Sequence, residues 1–321
     1  MARGFWIDTD AGSDDVVALL MALRHSDAEV LGISVVSGNV PLPQGMRNTL
    51  YTVELCGEQA AVFAGAERPL MRRPVDAAFF HGRDGLGDRH YPPPAGQAAR
   101  GHAVEALLSA CRRHPGLTLV TLGPLTNVAQ ALLREPRMAR NVGRCVIMGG
   151  AACTVGNVTP AAEYNMWVDP EAARIVFFSG LPIEMVGWEL CRGEANLSEA
   201  EMEEIRALDT PLAHFALDCN EVAIRANRRQ SGDIGLALPD PVAMSLALNP
   251  ALGLRRSRHY VQVETQSELT RGMTVVDQLG VVSDERNRAA WEELLEGGPN
   301  AEVHWRLDIP GFKKLLKDSL Q

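Results

Sequence analysis

Residues 5–23 read FWIDTDAGSDDVVALLMAL, an apolar stretch that runs into acidic residues and a glycine and then into an amphipathic segment. Val16, Val17, Leu19, Leu20 and Leu23 recur at helical spacing, and acids in a first turn suit the positive end of a helix. The stretch therefore predicts a strand, a tight turn at Gly12 and a helix capped by Ser13, with Asp14 and Asp15 in its first turn. Strand alternation would put Asp8 and Asp10 on one face. Ordinary capping accounts for Asp14 and Asp15 alone. With Asp10 across the turn, like charges converge and repel unless a cation neutralises them or a proton is shared. Ligation by oxygen alone points to a hard cation, Ca²⁺ or Mg²⁺, rather than zinc.

Similar units recur along the chain. VLGISVV from Val30, LTLVTL from Leu117, CVIMGG from Cys145 and IEMVG from Ile183 look like buried strands. Amphipathic helices are expected between them, near residues 42–56, 101–113, 124–134 and 169–178. This alternation predicts an α/β fold with a mainly parallel central sheet flanked by helices, a Rossmann-like core. HYVQVET, MTVVD and EVHWRLD predict closing strands, followed by a last helix from Pro310. Residues 198–248 look helical and charged, with a break at SGDIGLALPD. No repeat or long linker divides the 321 residues, so one domain over 1–321 is expected.

Composition narrows the partners. A formal net charge of -9 argues against nucleic acid or an anionic membrane as main partner. No apolar run long enough for a membrane span and no signal segment are evident, so a cytoplasmic protein is expected. The six cysteines show no CxxC spacing and are expected to be reduced and buried.

In a parallel sheet, ligands bind beyond the carboxyl ends of the strands, and here those ends are polar. Asp10 follows the first strand, Ser37-Gly38-Asn39 the second, GPLTN the LTLVTL strand, and a long loop with Asn157, Glu163 and Asn165 follows CVIMGG. Singly, each has a plain structural use: Gly-Asn turns, Pro124 opening a helix with Asn127 facing solvent, Asp169-Pro170 capping the next. Together they describe a pocket for a polyhydroxyl compound beside a metal.

The ordered set DTDAGSDD, VVSGN, HGRDGLGD, LGPLTN, MGG, GNVTPAAEYN, DPEAARIVFFSGLP, PDP and RGMTVVD resembles the nucleoside hydrolase family, the inosine/uridine-preferring nucleoside N-ribohydrolases, over most of the chain. The resemblance implies the nucleoside hydrolase fold and Ca²⁺-dependent cleavage of the N-glycosidic bond of ribonucleosides. It implies Asp10, Asp15, Asp240 and the backbone carbonyl of Leu122 as calcium ligands, with Asp10 taking a proton from the attacking water. It further implies Asp14, Asn165 and Asp240 as partners of the ribose 2′- and 3′-hydroxyls, Asn157 and Glu163 of the 5′-hydroxyl, and Asn39 and Met148 as pocket contacts. A homodimer or homotetramer is expected by the same analogy.

The chain departs from the family pattern at the leaving group. Pro239 stands where relatives usually carry a histidine that protonates the base. His81 and His214 are alternative acids, and Trp188 is an aromatic platform for the base. WELCRG at 188–193 replaces a more usual Leu-Asp pair, so that Glu189 is one methylene longer. The helical stretch from Met202 to Arg229 is expected to wall the base pocket, with Asn227 as a base contact, while Glu203, Glu204 and Arg206 face solvent. Two other readings compete: phosphoryl transfer of the haloacid dehalogenase type, which also opens on a strand-terminal DxD but needs a lysine not evident here, and a ribose- or nucleoside-binding protein without turnover. Hydrolysis of another N-ribosyl compound is a third variant.

Overall fold

Phe5 and Ile7 on one side of the first strand, and Trp6 on the other, are all almost fully buried, in two different hydrophobic clusters. A strand apolar on both faces has to be covered on both. The computed structural model describes residues 2–230, 232, 235–291 and 298–321. Its strands are β1 (Arg3–Thr9), β2 (Ala28–Val35), β3 (Val62–Ala64), β4 (Leu117–Thr121), β5 (Val142–Met148), β6 (Ile183–Val186), β7 (Gly253–His259), β8 (Val261–Val263), β9 (Thr274–Val276) and β10 (Ala301–Leu307). Eight form one sheet in the order β3-β2-β1-β4-β5-β6-β10-β7, while β8 and β9 pair separately. Every pairing in the large sheet is parallel except β10 with β7.

The α-helices among the described residues are α1 (Ser13–Arg24), α2 (Leu42–Leu55), α3 (Ala78–His81), α4 (Ala103–Arg113), α5 (Thr126–Arg134), α6 (Tyr164–Val168), α7 (Pro170–Phe177), α8 (Glu199–Arg206), α9 (Pro211–Asp218), α10 (Glu221–Gln230), α11 (Pro239–Leu248), α12 (Arg288–Trp291) and a C-terminal helix, Ile309–Ser319. The side chains of α1, α2, α9, α11 and the C-terminal helix share a cluster with Phe5, Ile7, Val120 and Val146. Those of α4, α5 and α7 share the other with Trp6, Leu119 and Cys145. The period-2 alternation of the strands thus divides the helices into two layers. None of the described helices is long and apolar enough to cross a membrane.

The expected strands and helices are present to within a few residues at their ends. Two strands were not foreseen. β3 is only three residues long, and β7, GLRRSRH, is mostly exposed along its length. β7 is an edge strand, where charge discourages pairing with other chains and erases the apolar signal. Of the break at SGDIGLALPD, Ser231, Asp233 and Ile234 lie outside the described residues. Five cysteines are buried and Cys153 is exposed, and no disulfide joins them.

Candidate active site

The strand order turns at β1, with β2 and β3 on one side and β4, β5 and β6 on the other. β1 and β4 lie side by side, with Asp8 opposite Thr121, so the loops after them open a crevice at the carboxyl edge. Asp10 occupies it. A Cβ at Gly38 would stand 2.0 Å from Asp10 Oδ2, and one at Gly123 would stand 2.9 Å from Asp10 Cγ. The glycines of SGN and LGP are therefore there to let two backbones close around one carboxylate.

That carboxylate is held by Asn39, whose N–H donates to Oδ2 at 2.6 Å and whose amide donates to Oδ1 at 3.1 Å. The same amide nitrogen donates to Asp15 Oδ2 at 3.0 Å, and Asp15 also accepts from the Thr9 hydroxyl at 2.6 Å and the Gly12 N–H at 2.9 Å. The helix start differs here from the sequence expectation. Gly12, not Ser13, is the N-cap residue; Ser13 is the first helical residue and Asp15 reaches back to the cap N–H. Asp14 and Asp15 in α1 meet Asp240 in the first turn of α11, and one carboxylate oxygen from each lies within 4.8 Å of the others. Burial first, then the charges of neighbouring aspartates, pushes Asp14 up to about 7 and Asp10 and Asp240 well above the ordinary carboxylate range. Asp14 Oδ1 is buried without a hydrogen-bond partner. An all-oxygen set of this kind, with the Leu122 carbonyl in the same pocket, suits a hard divalent cation.

Above this acidic floor is a pocket lined among others by Asp14, Asn39, His81, Leu122, Met148, Asn157, Glu163, Asn165, Trp188 and Asp240. Asn165 bridges its back wall, donating to the carbonyls of Leu122 at 2.7 Å and Met148 at 3.2 Å. Glu163 caps α6 and accepts N–H groups from Gly150 at 2.8 Å and Asn165 at 2.8 Å. Burial outweighs those bonds and raises it to about 7. The Asn157 side-chain oxygen accepts the Tyr164 N–H at 2.9 Å, which fixes the long loop onto α6.

Residues 5–314 match the family described as inosine-uridine preferring nucleoside hydrolase. The chain belongs to the nucleoside hydrolase family. It is accordingly a glycosidase that cleaves nucleosides. A pyrimidine-specific ribonucleoside hydrolase, RihA, of Shewanella sp. (strain MR-7) is 38% identical over 100% of this chain and 96% of its own length. An uncharacterized protein of Schizosaccharomyces pombe is 37% identical over 86% of this chain and 90% of its own. Among solved structures, a plant nucleoside hydrolase, PpNRh1, superposes with a TM-score of 0.91 at 29% identity, covering 100% of this chain and 99% of that one. A purine-preferring ribonucleoside hydrolase from Gardnerella vaginalis gives 0.88 at 29% identity, covering 99% and 98%.

Membership in the nucleoside hydrolase family sets aside the phosphoryl-transfer alternative. Asp10, Asp14, Asp15, Asn39, His81, Leu122, Met148, Asn157, Glu163, Asn165, Trp188 and Asp240 gather at the floor of the site or line the pocket, and Asn227, His214 and Asp8 do not. Asn227 is buried on α10, and neither it nor any other residue of α8, α9 or α10 lines the pocket; the wall expected from 202–229 is formed instead by Trp188, Ala237 and Pro239. His214 pairs with Asp209 at 2.9 Å on the surface, away from the pocket. Glu203, Glu204 and Arg206 are exposed as expected.

His81 lies in the pocket wall. The Ser13 N–H donates to its Nδ1 at 3.2 Å, with the Ser13 hydroxyl 2.9 Å from the same nitrogen. Nδ1 is thus an acceptor, and the neutral ring carries its proton on Nε2. Burial lowers the imidazole to about 4, against an opposing pull from Asp15. The 3.8 Å approach of Nδ1 to Asp14 is therefore no ion pair.

Three residues serve otherwise than expected. Asp8 does not share the site with Asp10. It sits within β1, fully buried, accepting from the Ser34 hydroxyl and, at 2.8 Å, from Asn127. Asn127 is accordingly buried rather than solvent-facing, and its oxygen also accepts the Ala66 N–H at 2.8 Å. Glu189 stands behind the pocket, accepting the Ala152 N–H at 2.9 Å, and burial raises it to about 7. Phe79, Phe80 and Tyr164 line the pocket and were not anticipated. The Phe-Phe pair next to HGRDGLGD was the available signal.

Proposed function

We propose that this nucleoside hydrolase is calcium-dependent and acts on ribonucleosides, with Asp10, Asp15, Asp240 and the Leu122 carbonyl holding the ion. The observation that carries this reading is the convergence of one oxygen each from buried Asp14, Asp15 and Asp240 within 4.8 Å, with Asp10 joined to Asp15 through the Asn39 amide, at the floor of a pocket rimmed by amides and a carboxylate. Bound there, calcium would neutralise the carboxylates and acidify a water molecule.

The chain's own groups do the rest. Asp10, held by both nitrogens of Asn39, is oriented to accept the proton of the attacking water. Asp14, Asn165 and Asp240 bind the ribose 2′- and 3′-hydroxyls, and Asn157 and Glu163 bind the 5′-hydroxyl. A sugar lacking one of these hydroxyls leaves a buried partner unpaired and is rejected. The anionic floor stabilises the positive charge that develops on the sugar as the bond to the base breaks. The base lies toward Trp188, Phe79 and Phe80, where the Nε2–H of His81 is the available donor in place of the histidine missing at Pro239.

The test is release of free base from a panel of purine and pyrimidine ribonucleosides, with calcium present and after its removal by a chelator. We expect turnover that needs calcium, and a loss of about 10²–10⁴-fold in kcat for Asp10→Asn. Turnover unchanged by chelation sinks the calcium assignment. An Asp10→Asn enzyme as fast as wild type sinks the role of Asp10, and no product from any nucleoside leaves a binding protein or another N-ribosyl substrate.

A further inference from the structure

α11 presents Asp240 to the site from its first turn, and its other end is held in an unusual way. The carbonyls of Leu246, Ala247 and Leu248 are the last of the helix. Pro250 has no N–H for Leu246, and the N–H groups of Ala251 and Leu252 are turned to the Asn249 side chain and carbonyl. Two arginines from the sheet take their place. Arg144 on β5 donates to Leu246 at 3.1 Å and to Ala247 at 2.9 Å. Arg3 on β1 donates to Ala247 at 3.2 Å and to Leu248. All three orphaned carbonyls are thereby satisfied by cations at the negative end of the helix.

Arg144 is itself fixed, since its guanidinium is bidentate to Glu184 on β6 at 2.6 and 2.8 Å. Glu184 also meets His304 on β10 at 3.3 Å and Arg256 on β7 at 3.8 Å. Burial acts to raise Glu184, but the hydrogen bonds from Arg144 and His304 outweigh it and bring it down to about 2. The anchor is therefore a charged network spanning four strands, with Arg3 joining from a fifth.

We propose that Arg3 and Arg144 are positioning residues for the metal site, holding α11 along its axis so that Asp240 stays against Asp14 and Asp15. Six to eight residues, about 9–12 Å of helix, separate the stapled carbonyls from Asp240. Whenever these three carboxylates are ionised together without an ion they repel each other, and α11 can relieve that repulsion by sliding along α1, against which it packs. The staple opposes the slide, so the free protein already holds the bound arrangement and the ion does not have to rebuild it. This rests on the calcium reading above.

The experiment measures calcium affinity by titration calorimetry, and melting temperature, for wild type, Arg3→Met, Arg3→Lys, Arg144→Lys and a control, Leu107→Ala. Arg3 has no acidic partner among the described contacts, so Arg3→Met removes two donors without stranding a charge. Arg144→Lys keeps a cation beside Glu184 but loses the fork. Leu107 is fully buried in the opposite helical layer, so its truncation lowers stability without touching α11. The proposal expects calcium Kd to rise about ten-fold for Arg3→Met and for Arg144→Lys, partial recovery with Arg3→Lys, and a wild-type Kd for Leu107→Ala despite its lower melting temperature. Arginine variants that bind calcium like wild type, or a control that weakens binding as much as they do, overturn the proposal alone. A wild type that binds no calcium overturns the calcium reading and the proposal with it.

Discussion

His81 keeps one nitrogen turned to Ser13 and one free to donate, and burial holds the ring neutral down to about pH 4. A neutral imidazole is a hydrogen-bond donor rather than a strong acid, so it can stabilise charge on a departing base without full proton transfer. Substituting His81→Phe should slow cleavage of ordinary ribonucleosides by about 10²-fold or more. An aryl riboside whose leaving group needs no proton should be cleaved at nearly the wild-type rate. Equal losses on both substrates would instead mean that His81 serves only to hold Ser13. Its place in the wall was partly legible, because HGRDGLGD stood out, but its tautomer depends on a Ser13 N–H that sequence spacing places at the helix cap. Asp8 illustrates the converse. Two residues from Asp10 on an alternating strand it shares a face in principle, yet the chain turns at the αL residue Ala11, φ 51°, and Asp10 has already left the strand.

Between residue and fold, single helices tie the two catalytic loops together. Asn48 on α2 is 2% exposed and donates one amide hydrogen to the Ala11 carbonyl at 3.0 Å and the other to the Asp84 carbonyl at 2.9 Å. One side chain thus braces the aspartate turn against the loop that follows His81. In that loop Asp84 gathers the N–H groups of Leu86, Asp88 and His90. Asn48→Leu leaves two buried carbonyls unpaired, which should cost about 2–4 kcal/mol. Urea unfolding reads this as a lowered midpoint at unchanged slope; a loss below about 0.5 kcal/mol would show that water takes over both carbonyls. Nothing in the sequence marks Asn48, since a polar residue in an amphipathic helix reads as surface. The elements themselves were legible where they are apolar and periodic, as in β4, β5, α4 and α5, and not where they lie at an edge, as in β7. The mistaken wall at 202–229 has the same origin: periodicity identifies helices but not which side of the crevice they pack on.

Across the whole molecule, the formal charge of -9 counts carboxylates as ionised that the metal-free fold keeps protonated. Burial raises Asp8, Asp14, Glu163 and Glu189 to about 7, and Asp10 and Asp240 well above their ordinary range. In the unfolded chain these groups lose their protons near pH 4. Between pH 4 and about 7 the folded state therefore binds more protons, and stability falls as pH rises through that window. Groups that act in the opposite sense include neutral His81, which costs stability below pH 6.5 and so offsets part of the fall within the same window, and Glu184, lowered to about 2, whose contribution is lost only as pH drops below its unfolded value. The carboxylates outnumber them, so the calcium-free protein should melt at a lower temperature at pH 8 than at pH 5.5. Calcium should reverse the trend, because binding at the aspartates requires the deprotonated forms and gains affinity as protons leave. Differential scanning calorimetry with and without calcium tests both halves: the calcium-induced rise in melting temperature should be larger at pH 8 than at pH 5.5. A calcium-free protein that becomes steadily more stable over that range would mean the buried carboxylates are ionised without the ion, and the acidic floor would then need another counter-charge.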